Sequence, residues 1–227
     1  MPGTDSDADT RTDSDTVRGM ADRYLYVVRH GEAEPDGNGL TALGRRQAEL
    51  LGERLRDVPL TAVHHGPLPR ARQTAARAVA ARTATVPVHE SEAAGDYVPH
   101  LPERSELPPQ SADLFLRFIA GTTEEERERG PGLARSALDL FTGPVAGDTD
   151  RHELLVTHNF LAAWLVRDAM CAPDWRWLGL NLCNAALTVI RYAPDRPAGV
   201  LTLNDMAHLP AELRWTGFPP ELRAPGI

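Results

Sequence analysis

The sequence predicts an α/β fold, with a mostly parallel central sheet, helices on its faces and an antiparallel edge. Three observations carry that prediction. Short β-branched or aromatic runs alternate with longer segments of helical spacing over residues 23–90, a βαβαβ order that builds a parallel sheet covered by helices. Two runs far apart in sequence, "YVVRH" and "LLVTH", end alike, and each delivers a histidine to the loop behind it. Near the C-terminus, "AALTVIRYA" and "GVLTLND" lie a few residues apart, close enough to pair as an antiparallel edge.

Residues 1–21 are rich in Asp, Thr and Ser and nearly free of large apolar side chains. Such a segment cannot bury enough surface to offset its ordering entropy, so a disordered acidic tail is expected. Order is expected from about Arg23, which leaves 22–227 as a single domain. "RYLYVVRH" reads as a buried strand. "LTALGRRQAELLGERLRDV" reads as a helix, capped by Thr41, with Ala48, Leu51 and Leu55 at helical spacing. "LTAVHH" is a second strand. "PLPRARQTAARAVAAR" is a second helix, with Pro67 and Pro69 at its start. "TVPVHE" is a third strand. The Pro- and Gly-punctuated stretch 93–109 reads as a long loop, the kind that often carries function. Helices are expected at roughly 110–120 and 123–142. The run "EEERER" at the start of the latter suits a solvated face or a helix N-terminus. "RHELLVTHN" is another strand, and "FLAAWLVRDAM" is the helix behind it.

The chain has 227 residues and a formal net charge of −8, which argues against a nucleic-acid or anionic-membrane binder. Its two cysteines, Cys171 and Cys183, lack metal-type spacing and read as reduced thiols. No apolar run approaches the roughly 20 residues that span a bilayer, and the N-terminus lacks an apolar signal-peptide core. A cytoplasmic protein is expected. His64, His65, His89 and His100 lack tight ligand spacing, so no metal site is expected.

Ligands of open α/β sheets bind at the carboxyl ends of the strands. His30 and His158 arrive there from two strands. "TAVHH" leads into Arg70 at the start of a helix, and "TVPVHE" leads to Glu92. Arg29 precedes His30. A pocket of two histidines, two arginines and a carboxylic acid suits phosphoryl transfer. A neutral imidazole can attack phosphorus, arginine forks can hold the phosphoryl oxygens, and the acid can protonate the leaving oxygen. That chemistry requires no cofactor. Arg72 and Arg77, beside Arg70, read as solvated helix face.

"RHGEAE", "LTALGRRQAELLGERL", "HHGPLPRARQTA" and "VTHN", in that order, resemble the histidine phosphatase superfamily, the phosphoglycerate-mutase-like fold. The resemblance covers about residues 23–205. In the second half, "THNFLAAWLV", "WRWLGLNLCNAALTVI" and "LNDMAHLP" look most like the branch of phosphoglycerate-mutase-like Ser/Thr protein phosphatases. The resemblance implies a three-layer α/β/α sandwich and a catalytic domain with a lid-like insertion near 93–130. It implies that His30 is the phosphohistidine nucleophile. Arg29 and Arg70 would bind phosphate, and His158 would be the second histidine, binding the phosphoryl group as well. It points to Glu92 as acid/base, with Glu90 and Asp96 as alternatives. Gly31 would let the backbone approach the phosphoryl group. Two departures stand out. His65 and Gly66 replace a common Ser-Ser, and Asp36 replaces a phosphate-holding asparagine unless Asn38 supplies the amide.

The reading is therefore a metal-independent phosphatase acting on a small phosphorylated metabolite or a phosphoprotein. A singly phosphorylated substrate suits the acidic, Pro-rich 93–130 segment. A mutase would want a basic closing lid there. A non-catalytic binding module would be favoured by a broken catalytic set, and this set is complete. The resemblance also raises a homodimer, which no stripe in the sequence demands.

Overall fold

The computed structural model describes residues 19–223. Its strands are β1 (Met20–Ala21), β2 (Arg23–Arg29), β3 (Ala62–His65), β4 (Val88–Glu90), β5 (Val145–Ala146), β6 (Arg151–Thr157), β7 (Leu187–Ala193) and β8 (Arg196–Asp205). Its helices are α1 (Ala42–Arg54), α2 (Pro69–Ala80), α3 (Ala112–Ile119), α4 (Glu124–Phe141) and α5 (Asn159–Ala169). Six strands form one sheet in the order β4-β3-β6-β2-β7-β8. The first four run parallel. β7 and β8 are antiparallel, the edge expected from the late strand pair.

Alternation along the strands divides the core in two. Leu25 and Val27 of β2 join Leu155 and Ile190 on one face, against Ala134, Phe141, Leu161 and Leu165 of α4 and α5. Val28 joins Val63, Leu154 and Val156 on the other, against Leu51, Leu55, Ala71 and Ala75 of α1 and α2. Both faces are covered, which is why the central strands read as nearly continuous apolar runs. The result is a three-layer α/β/α sandwich.

Two expectations need correction. Met20 and Ala21, assigned to the tail, pair with Ala146 and Val145, so the ordered chain starts before Arg23. Residues 1–18 of that expected tail lie outside the described residues. The strand expected over "TVPVHE" is shorter, because only Val88–Glu90 pairs with β3. Pro87 has no N–H to give, although its carbonyl still accepts from Val63 at 2.9 Å.

The insertion is anchored on both sides. α4 opens with a capping box, in which Thr123 Oγ1 accepts from Glu126 N and the Glu126 carboxylate accepts from Thr123 N. This explains the acidic run at its start. A Cβ on Gly130 would collide with the Val98 carbonyl, so this glycine lets α4 lie directly on the 93–109 loop. That loop holds two single turns, Glu92–Ala94 and Arg104–Glu106. The Tyr97 hydroxyl donates to Ala93 O at 2.8 Å and pins the first of them.

Candidate active site

β2 and β6 are parallel neighbours, and their register places Arg29 opposite Thr157. The next residues, His30 and His158, therefore leave the sheet side by side. His30 N still donates to Thr157 O at 2.9 Å, which carries the ladder one step past the strand. The two rings lie 5.0 Å apart at 57°. β3 flanks β6 on its other side, and the chain turns from it into α2. Leu68 is the extended N-cap and Pro69 occupies the first turn, where a missing N–H costs nothing. Arg70, beside Pro69, reaches back over the strand ends.

The contacts of His30 fix its tautomer. Nδ1 lies 2.7 Å from the Gly31 carbonyl, which can only accept, so Nδ1 carries the proton. Arg70 Nε donates to Nε2 at 3.2 Å, so Nε2 presents its lone pair. Burial lowers the His30 pKa to about 3. His158, Arg29 and Arg70 push the same way, and the bond to Gly31 pushes back. The imidazole is neutral near pH 7, the form a nucleophile toward phosphorus requires.

His158 is 1% exposed, and neither ring nitrogen has a hydrogen bond. Its Nδ1 lies 3.5 Å from Asp96 Oδ2, which is long for a hydrogen bond. Burial, then Arg70 and Arg29, lowers its pKa to about 3 as well. Buried polar nitrogens without partners are rare, and of these two Nδ1 is turned toward Asp96. Arg29 is tied from behind, since Nη1 donates to Leu182 O at 2.9 Å and Gly217 O at 2.6 Å. Arg70 Nη2 donates to Asp96 Oδ2 at 2.7 Å.

All four of His30, Arg29, Arg70 and His158 thus converge at the carboxyl ends of the central parallel strands. Of the three candidate acids, Asp96 touches the cluster. Glu92 stands one turn earlier and lines the same cleft as Asp96. Glu90 lies on the exposed edge strand β4, opposite His65. The cleft, about 200 Å³, is walled by Pro67, Leu68 and Tyr97 and by Glu125, Glu126 and Arg129 of α4. Among the described residues, no three His, Cys, Asp or Glu side chains group to hold a metal ion. No helix among those residues is long and apolar enough to cross a membrane.

Several supporting residues escaped the sequence reading. Thr74 Oγ1 accepts from Gly31 N at 3.0 Å and donates to Arg70 O at 2.7 Å. Gln47 Oε1 accepts from Glu32 N at 2.8 Å, and its Nε2 donates to Leu213 O and Thr216 Oγ1. Asn184 Nδ2 donates to His30 O at 2.8 Å. Thr74 and Gln47 are fully buried polar residues on the apolar faces of their helices, and that placement was the available signal. Asn184 gave none.

Three local expectations change. Gly31 has a packing role that the sequence did not show, because a Cβ there would sit 2.6 Å from Gly44 O and its N–H donates to Thr74 Oγ1. Gly66 is equally enforced, since a Cβ would lie 2.5 Å from Ala94 O and 3.2 Å from His158 Nε2. A serine hydroxyl has no room there. His65 turns its Nδ1 to the Gly66 carbonyl at 2.8 Å. Asn38 gives its amide to Asp36 Oδ2 at 3.2 Å, so the two engage each other.

A family model described as histidine phosphatase superfamily (branch 1) matches residues 25–205. Among curated proteins, the chain is similar to the mitochondrial serine/threonine-protein phosphatase Pgam5 of Caenorhabditis elegans, 28% identical over 204 residues. The alignment covers 85% of this chain and 66% of that protein. The Caenorhabditis briggsae protein of the same name is 26% identical over 198 residues, with the same coverage. The human protein of that name is 24% identical over 205 residues, 87% of this chain and 68% of its own length. The chain therefore spans just under two thirds of the first two relatives. Among solved structures, the α-ribazole phosphatase of Shigella flexneri superposes with a TM-score of 0.57 at 20% identity, covering 80% of this chain and 96% of that one. A phosphoglycerate mutase of Plasmodium falciparum gives a TM-score of 0.54 at 16% identity, covering 84% and 96%. These structural likenesses are of fold.

Proposed function

We propose that this chain, which belongs to the histidine phosphatase superfamily (branch 1), hydrolyses a phosphomonoester through a phosphohistidine on His30. The carrying observation is the state of that ring, whose Nδ1 is protonated against Gly31 while Nε2 presents its lone pair to the cluster. In the first step Nε2 attacks phosphorus, the P–N bond forms and the ester P–O bond breaks. Glu92 gives its proton to the leaving oxygen. In the second step water attacks the phosphohistidine and Glu92 takes the water proton. The P–N electron pair then returns to Nε2. Arg29, Arg70 and His158 hold the phosphoryl oxygens and stabilise the charge that builds on them.

The Glu92 carboxylate has no hydrogen bond or ion pair among the described residues and lines the cleft, which leaves it free to exchange protons there. The acidic wall made by Glu92, Glu125 and Glu126 favours a phosphatase over a mutase, whose phosphoglycerates carry extra anionic charge. The substrate is a small phosphorylated metabolite or, as the names of the relatives suggest, a phosphoprotein.

The test is p-nitrophenyl phosphate hydrolysis in EDTA, wild type against His30→Ala. The expected result is turnover in the wild type and a loss of about 10³-fold or more in the variant. Acid-quenched wild-type enzyme should retain label from a phosphoryl donor, and the variant should not. Equal rates in both proteins would sink the mechanism.

A further inference from the structure

We propose that Asp96 occupies the seat that a phosphoryl oxygen would take, so that it competes with phosphate for Arg70 and His158 and helps expel the product. This rests on the phosphate-binding reading of the cluster. A carboxylate oxygen offers an arginine the same anionic acceptor that a phosphoryl oxygen does. Asp96 Oδ2 takes that place, 2.7 Å from Arg70 Nη2 and 3.5 Å from His158 Nδ1. Both Arg70 and His158 belong to the set that converges on His30.

Arg70 is doubly committed in this state. Its Nε lies against the nucleophile, His30 Nε2, and its Nη2 holds Asp96. An arriving phosphoryl group needs both positions. The ring nitrogens of His158, by contrast, have no hydrogen-bond partner among the described residues, and Nδ1 makes only the long contact to the same carboxylate oxygen. Asp96 is the exposed partner of the three, with its side chain 39% exposed against 17% for Arg70 and 1% for His158. It can turn out into the cleft it lines, and the arriving phosphoryl group then supplies the anionic partner for Arg70.

The consequence is a tax on every phosphate-bearing ligand. Affinity falls by the fraction of time the seat is open. The tax falls equally on substrate and product, but a hydrolase gains from it at the last step. As inorganic phosphate loosens, Asp96 returns to Arg70 and closes the seat behind it. This role differs from proton transfer. A proton donor must face the leaving oxygen, whereas Asp96 faces the groups that hold the phosphoryl oxygens.

The experiment measures competitive inhibition by inorganic phosphate, with p-nitrophenyl phosphate as substrate, in wild type, Asp96→Asn and Asp96→Ala. Both variants should bind phosphate about tenfold more tightly, a normal coupling between groups of one charge network. KM should fall with the inhibition constant, and kcat should not rise, because release is slowed. Asp113→Asn, which breaks an exposed pair with Arg104 outside the cluster, should leave phosphate inhibition within about twofold. Unchanged or weaker phosphate inhibition in both Asp96 variants of an active enzyme overturns the proposal alone. A fall in kcat at constant phosphate affinity does the same and makes Asp96 the acid. Absence of both turnover and phosphate binding in wild type and variants overturns the phosphate site, and this proposal with it.

Discussion

The proposed phosphate end of the site and the cleft beside it are built to opposite standards. At the phosphate end, His30, His158, Thr157, Thr74, Gln47 and Asn184 are all buried. Most are held by backbone groups of a second element. His30 is fixed through its ring, its N–H and its carbonyl. In the cleft, Glu92 and Asp96 are exposed, and the walls come from a loop and the first turns of α4. The difference shows where the fold spends its constraint. Geometry is over-determined where charge must be stabilised on one defined group. It is loose where the leaving group varies.

The largest effect should follow from removing a donor at the tight end. Arg70→Ala should lower kcat by about 10²- to 10³-fold, the usual cost of one preorganised transition-state donor. Single-turnover hydrolysis of p-nitrophenyl phosphate measures it. A loss under tenfold would mean that Arg29 and His158 suffice, and the contrast between the two regions would collapse.

The next variant tests whether the support matters as much as the donors. Gly217 has φ +69°, in the left-handed region that favours glycine. A Cβ there would run into Asn184 Oδ1 and the Arg29 guanidinium. Gly217→Ala therefore pays a backbone strain of about 1–3 kcal/mol and displaces Arg29 from its two carbonyls. KM for the phosphate ester should rise about tenfold, with a smaller change in kcat, because the binding fork moves while the nucleophile stays. Steady-state kinetics with a thermal melt separates this from simple unfolding.

The same contrast explains what the sequence made legible. Strand-end histidines, an arginine behind two prolines and a capped helix after a glycine are local patterns, and each landed where its pattern required. The parallel sheet with its antiparallel edge was legible from the βαβαβ order and the late strand pair; the insertion of β6 between β2 and β3 was not, because it is a pairing of distant segments. Asn184, the Gly217 carbonyl and the partners of Gln47 were not legible, because they arise from contacts between segments distant in sequence. Gln47 reaches Leu213 and Thr216, and no periodicity within α1 encodes that. The pairing of Asp96 with Arg70 was hidden for the same reason. Loop residues carry no period, and the approach of α4 that positions the loop depends on one missing Cβ, at Gly130.

The third effect concerns stability. His30 and His158 have folded pKa values of about 3, against an unfolded value near 6.5. Between those limits the unfolded chain binds more protons, so stability rises with pH. It should be fully present above about pH 6.5 and be lost progressively as pH falls toward 3. His158→Gln should flatten that slope by about one proton. Urea midpoints from pH 4 to 7 read it directly. An unchanged slope would show that the tight end is wetter than its burial implies.

The smallest effect should come from the cleft wall. Glu125 is 75% exposed and pairs with Arg129 at 3.0 Å, itself 58% exposed. Water screens such groups, so even a charge reversal acts weakly at a distance. Glu125→Lys should leave p-nitrophenyl phosphate kcat within about twofold, since no phosphoryl-holding group is touched. It should shift the preference between an anionic and a cationic leaving group by about fivefold toward the anionic one, a shift of the size exposed charges deliver. The comparison of kcat/KM for 3-phosphoglycerate and phosphoethanolamine reads that shift. A large loss for both esters would mean that the wall shapes the catalytic cluster itself. A shift confined to the leaving group would place specificity in the cleft and chemistry at the strand ends.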